Sequence, residues 1–298
     1  MFNSAEIPHR GKKTALAVAF GLLSAGLLGS TATAASLEEI KDKGVIRIAV
    51  ANEIPYGFID PNGEAKGAGP EVAQHLVEEL GIDEIEWVTT NFGSLIPGLQ
   101  ADRFDMVAAE MAILPQRCEQ VVYSEPNSSY GEGLLVAADN PNDIHSYEDF
   151  VDSDYTVAIM AGADQLEMLQ ALGVDESRML TISNNADAIS TVSTGRADAY
   201  AATGLTAAEL AKRSDKVELA EDFVDPVIND VTIRSWGGFT FSKDSEDLRD
   251  AINEALATFK ETDTWSDILS SHGFTDVDQS ESNAKTTAEL CADTDGPF

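Results

Sequence analysis

Short apolar runs rich in β-branched residues alternate with segments of helical period through the first part of the chain. "VIRIAV" (45–50), "IEWVTT" (85–90) and "MVAAEM" (106–111) predict strands, and the segments between them predict helices over 70–80 and 94–101. In the first helix Val72, Leu76 and Leu80 recur on one face, Pro70 suits the first helical position and Gly81 supplies the stop. The same alternation returns with "YTVAIM" (155–160), a helix from Asp164 to Leu172 ended by Gly173, "MLTIS" (179–183), a helix over 186–194 and "ADAYAAT" (197–203). Strands spaced by helices predict largely parallel sheets, and two such sets predict two α/β lobes.

Two further β-like runs flanked by glycine, "YGEGLLVAADN" (130–140) and "RSWGGFTFSK" (234–243), bracket the second set. They are read as crossing segments: the chain leaves lobe 1, builds lobe 2 and returns. The expected division is lobe 1 over 35–133 and 237–298, and lobe 2 over 134–236, with a hinged cleft between them. The helices "SEDLRDAINEALATFKETD" and "TWSDILSSHGF" complete lobe 1, and 275–298 is expected to be a polar tail.

The first residues read differently. Arg10, Lys12 and Lys13 precede the apolar run "TALAVAFGLLSAGLLG", which ends at Ala32-Thr33-Ala34. This is the pattern of a secretory signal peptide over 1–34, so the mature chain is expected to be exported. The remaining Cys118 and Cys291 match no zinc or redox spacing, and an even pair in an oxidising compartment is expected to form one disulfide.

The 298 residues carry 19 Lys and Arg against 52 Asp and Glu, a formal net charge of −33, and 43% of them are apolar. A surface of that sign repels nucleic acid and anionic membranes, while the apolar share supports a sizeable core. The acids are spread along the chain, which suits an exported protein bathed in salt. Four histidines show neither a Ser-His-Asp arrangement nor metal-ligand spacing, so no cofactor is expected.

Three stretches in order, "FGSLIPGLQADRFDMVAAEMAILPQRCEQVVYSEP" (92–126), "TGRADAY" (194–200) and "SWGGFTFSKDSEDLRDAINEALATFKETDTWSDILSSHGF" (235–274), carry a resemblance. The chain resembles the amino-acid class of ABC-transporter solute-binding proteins, bacterial extracellular solute-binding protein family 3. The opening "ANEIPY", "IPGLQA", "LPQRC" and the late Cys291 look most like its ectoine- and 5-hydroxyectoine-binding branch. The resemblance implies a periplasmic-binding-protein-like fold and a soluble periplasmic monomer. Such a protein is not an enzyme: it captures a small zwitterionic ligand and hands it to an inner-membrane ABC permease. Two alternatives stay open, a binder of a polar amino acid and an exported dehydratase-like enzyme on the same fold, with Glu53 and Glu110 as an acid/base pair.

The resemblance also implies site residues. Arg117 matches the arginine that holds a ligand's carboxylate, a task suited to its planar fork of donors. Gly162, Ala163 and Asp164 open a helix whose free N–H groups face the same carboxylate; Asp164 is read either as the N-cap of that helix or as a residue near the ligand. Where many family members place an aspartate for an α-ammonium, this chain has Ala201, Ala202 and Thr203, which favours a delocalised ring cation. Tyr56 and Phe92 are expected to sandwich that ring, Glu53 to accept a ring N–H, Glu110 to act as a second counter-ion, and Thr203 to line the site. The third aromatic expected ahead of the arginine turn is replaced by "EMAIL", and Trp236 is the candidate substitute.

Overall fold

In the computed structural model residues 35–292 are described; the expected leader over 1–34 lies outside the described residues. Two sheets carry the architecture. In the first, Val45–Val50 runs parallel to Glu84–Thr89 on one side and to Met106–Ala112 on the other. Ser235–Phe241 then pairs antiparallel with Met106–Ala112 and bears Val122–Tyr123 and Ser128–Tyr130 along its far edge. In the second sheet Val157–Met160 lies between parallel Met179–Ile182 and Ala199–Thr203, and Glu132–Ala137 adds antiparallel to Ala199–Thr203, with Val217–Leu219 outside it.

Both sheets are therefore mixed, where the alternation alone predicts largely parallel pairing. The antiparallel members are the strands delivered straight from the other lobe without a crossover helix, so nothing forces them to run parallel. Only Gly131 separates Ser128–Tyr130 in one sheet from Glu132–Ala137 in the other, and the return passes from the hairpin of Val227–Ile228 with Val231–Thr232 into Ser235–Phe241. The sheets thus change over slightly earlier than the expected 133/134 and 236/237. Two α/β lobes joined by two crossing segments result.

The period of two in Met106–Ala112 places its side chains in two cores. Met106 and Ala108 join Ile46, Ile48, Val72, Leu76 and Phe239 on one face, while Val107, Ala109 and Met111 join Leu95, Leu99 and Tyr123 on the other. A strand covered on both faces is apolar along almost its whole length, here all but Glu110, which is why the run is legible. Lobe 2 has one core, built on Leu134, Ile159, Met168, Tyr200 and their neighbours.

The long helices follow their patterns. Ala68–Glu79 starts two residues before Pro70, which still sits in the first turn where its missing N–H costs nothing. Gln165–Leu172 ends on left-handed Gly173, and Glu246–Phe259 and Asp263–Ser271 lie where expected. The polar tail expected over 275–298 is instead helical in part: Asp276–Glu281 begins with a Thr275/Asp278 capping box, and Thr287–Ala292 places Leu290 in the lobe 1 core. Cys291 is disulfide-bonded to Cys118, joining this last helix to Pro115–Cys118.

Candidate functional site

A cavity between the lobes, partly open to solvent, holds about 380 Å³ of space. Lobe 1 contributes Glu53 and Tyr56 from the loop after its first strand, Phe92 from the 3-10 turn Phe92–Ser94, and Glu110 from Met106–Ala112. Lobe 2 contributes Ala163 and Asp164 ahead of Gln165–Leu172, and Thr203 at the end of Ala199–Thr203. Seven of the residues expected from sequence meet here because both sheets aim strand ends at the cleft, the usual site geometry of α/β folds.

Arg117 stands beside the cavity as a bridge between lobes. Its Nη1 donates to the Ala112 carbonyl at 3.0 Å and its Nη2 to the Gly162 carbonyl across the cleft at 3.1 Å. Its guanidinium lies 5.7 Å from the centre of the Phe92 ring, and Nη2 is 4.0 Å from Asp164 Oδ1. Burial alone would lower this guanidinium's pKa; Asp164 and the surrounding tyrosines and acids outweigh it, so the net direction is upward and the group stays charged. Gly162 takes part through its carbonyl rather than through the cavity wall.

The carboxylates differ in how far they are already satisfied. Glu53 Oε1 accepts from Thr206 Oγ1 of lobe 2 at 2.9 Å; burial raises its pKa, opposed by contacts from Asn185 and Thr206. Glu110 has both oxygens filled inside lobe 1, one by Asn127 Nδ2 at 2.7 Å and the other by the Ser128 hydroxyl. Its backbone is left-handed, φ 49°, and its carbonyl accepts from Tyr130 OH at 2.7 Å. Glu110 is thus a brace of the cavity wall more than a free counter-ion. Thr203 is spent in part as a cap, accepting from the Thr206 N–H at 3.3 Å. Asp164 occupies the cap position of Gln165–Leu172 without making the cap hydrogen bond.

Trp236 does not line the cavity. Its indole N–H donates to the Glu281 carbonyl at 2.8 Å and its ring lies under Lys285, so the unforeseen helix Asp276–Glu281 claims it. Two tyrosines supply the additional aromatic faces instead: Tyr130, which meets Tyr56 edge-on at 5.1 Å, and Tyr200. Gln165 and Met160 complete the wall, and Glu132 is buried behind Gln165. None of these five was expected. Tyr130 and Glu132 sit in the crossing segment "SYGEG", where their inward direction becomes visible only once the antiparallel pairing of Glu132 with Thr203 is known.

Residues 46–275 match the bacterial extracellular solute-binding proteins, family 3. The chain belongs to this family. A probable amino-acid ABC transporter periplasmic-binding protein, y4tE, of Sinorhizobium fredii is 57% identical over 285 residues, 95% of this chain and 93% of that protein. Among solved structures, EhuB in complex with hydroxyectoine aligns with a TM-score of 0.78 and 30% identity, covering 86% of this chain and 98% of that one. An ancestral arginine-binding protein bound to arginine aligns with a TM-score of 0.66 and 25% identity, covering 77% and 98%. The family and the 57% identical relative are binding components of ABC transporters, which are transport proteins rather than enzymes. Among the described residues no helix is long and apolar enough to cross a membrane.

Proposed function

We propose that this solute-binding protein serves an ABC transporter, capturing ectoine or hydroxyectoine in the inter-lobe cavity and delivering it to a permease. It acts in the periplasm as a monomer after removal of a leader near Ala34, and its lobes move about the crossings at Gly131 and 233–234. The supporting observation is the division of charge at the cavity: beside it the Arg117 guanidinium bridges to the Gly162 turn, while in its wall Glu53 bridges to Thr206 and Tyr56, Phe92, Tyr130 and Tyr200 contribute aromatic surface. A carboxylate paired with Arg117 and a delocalised ring cation served by Glu53 and aromatic faces would satisfy each group. The likeness to the hydroxyectoine complex points the same way.

A second reading, arginine or a similar polar amino acid, is favoured by the surplus of buried acids: Glu53, Asp164 and Glu132 outnumber the one guanidinium. Calorimetry of the purified protein with ectoine, hydroxyectoine, L-arginine and L-glutamine separates the two. Tight ectoine binding with weak arginine binding supports the first; the reverse order replaces it with the second.

A further inference from the structure

Two carboxylates at this site have an oxygen that no protein group serves. Asp164 is 7% exposed and lines the cavity, and no group donates to its Oδ2. Glu132 is 5% exposed; its Oε2 accepts from Gln165 Nε2 at 2.7 Å and Tyr147 OH at 3.1 Å, while its Oε1 has no partner. The two acids feel each other's field: burial and then Asp164 push the Glu132 carboxyl well above the usual range. Asp225 and Glu167 add further negative charge nearby, and Arg117 is the only cation whose field reaches Asp164 at short range among the described contacts.

A buried carboxylate oxygen without a donor is costly, and a neighbouring acid makes it more so. The group that would relieve it must bring N–H donors and positive charge. Its place is fixed by Arg117, whose Nη2 is 4.0 Å from the other oxygen of Asp164. A ligand carboxylate held by Arg117 therefore carries the atoms bonded to it directly past Asp164. The strand that ends nearby, Ala199–Thr203, offers no acid for that purpose.

We propose that Asp164, backed by Glu132, accepts the N–H of the cationic nitrogen next to the ligand's carboxylate, so that the site selects solutes in which the two are adjacent. Both the ring of ectoine and an α-amino acid meet that requirement, while Glu53 serves the ligand's more distant nitrogen. This inference rests on the zwitterion reading of the cavity and adds to it the residue that reads the near nitrogen, together with a positioning role for Glu132.

The test is calorimetry of wild type, Asp164→Asn and Glu132→Gln with ectoine and L-arginine, beside melting curves of the unliganded proteins. For whichever probe the wild type binds, Asp164→Asn should lose roughly 10- to 100-fold in affinity, the range for one hydrogen bond to a charged group. Glu132→Gln should lose less, since it acts through Asp164. Without ligand Glu132→Gln should not melt lower, because it removes an oxygen that no donor serves, and Asp164→Asn should change little, because Arg117 keeps both of its carbonyl acceptors; a merely structural role would lower melting temperature and affinity together. If arginine is bound, 5-guanidinopentanoate, which lacks the α-nitrogen, should bind wild type and Asp164→Asn alike. Less than about threefold loss in Asp164→Asn, or a lowered melting temperature that accounts for the loss, overturns this inference alone. Failure of the wild type to bind either probe overturns the zwitterion reading and this inference with it.

Discussion

Glu53 Oε1 and Thr206 Oγ1, separated by 153 residues in sequence, meet at 2.9 Å, and their hydrogen bond ties the loop after the first strand of lobe 1 to a helix of lobe 2. Thr206 belongs to Gly204–Ala211 and is almost fully buried, so the bond spans the two lobes away from solvent. Thr206→Val keeps the shape and removes the donor. Ligand affinity should fall by about 1–3 kcal/mol, the cost of taking one donor from a buried carboxylate. Calorimetry measures the loss, and an unchanged affinity would show that Glu53 does not depend on this bond.

A second cross-lobe contact joins Gly93 to the turn at 161–162. A Cβ on Gly93 would lie 3.0 Å from the Ala161 carbonyl oxygen, and one on Gly162 would lie 2.8 Å from the Gly93 Cα. Gly162 is also left-handed, φ 82°, whereas Gly93 is not among the positive-φ residues. Gly93→Ala therefore tests the seam without backbone strain. The variant should fold normally, bind several-fold more weakly, and show by small-angle scattering a larger radius of gyration at saturating ligand than the wild type. An equal radius and equal affinity would mean that the seam gives way.

How much of this was legible in sequence depends on what each signal rests on. "VIRIAV" is found as Val45–Val50 because a strand largely buried on both faces is apolar apart from Arg47, and Gly173 marks its helix end because only a left-handed residue fits there. The helices Asp276–Glu281 and Thr287–Ala292 escape because they are short and polar with one buried side chain each, although the Thr275/Asp278 capping box was available as a signal. In the site, Arg117, Glu53 and Phe92 follow from motif position. Tyr130, Glu132 and Tyr200 do not, since their direction is fixed by the register of strands that pair only after the chain has crossed between lobes. Trp236 is misplaced because its indole N–H goes to Glu281, at the end of one of the two helices that escape sequence reading.

Acidity should stabilise the unliganded closed form. Burial raises the carboxyl pKa of Glu53 above the ordinary 4.5, and the same cause raises Glu110 and Glu132. A carboxyl whose folded pKa is raised binds protons more tightly in the native state. Its contribution is complete below about pH 4.5 and is lost as pH rises through the folded value. Melting temperature without ligand should thus fall on going from pH 5 toward pH 8. Glu53→Gln should flatten part of that slope, since glutamine carries no titrating charge. Thr206, Asn185 and Asp164 face the group and are unchanged in that comparison. A slope identical in wild type and Glu53→Gln would assign the effect to the other acids.

The sharpest distinction lies at Arg117. Its guanidinium spends two donors on carbonyls of opposite lobes, Ala112 at 3.0 Å and Gly162 at 3.1 Å, while its charge faces Asp164 and the cavity. Arg117→Ala removes the bridge, the counter-charge of Asp164 and the partner of a ligand carboxylate together. It should cost at least about 2–5 kcal/mol of binding, because a desolvated carboxylate is left unpaired. Arg117→Lys separates these roles. An ammonium restores the charge but cannot reach two carbonyls and a carboxylate from one planar fork, so it should recover only part of the affinity. Calorimetry of both variants against the wild type's ligand gives the ranking: wild type, then lysine, then alanine. Full recovery by lysine would reduce Arg117 to a point charge, and an alanine variant that binds as wild type would move the carboxylate site elsewhere in the cavity.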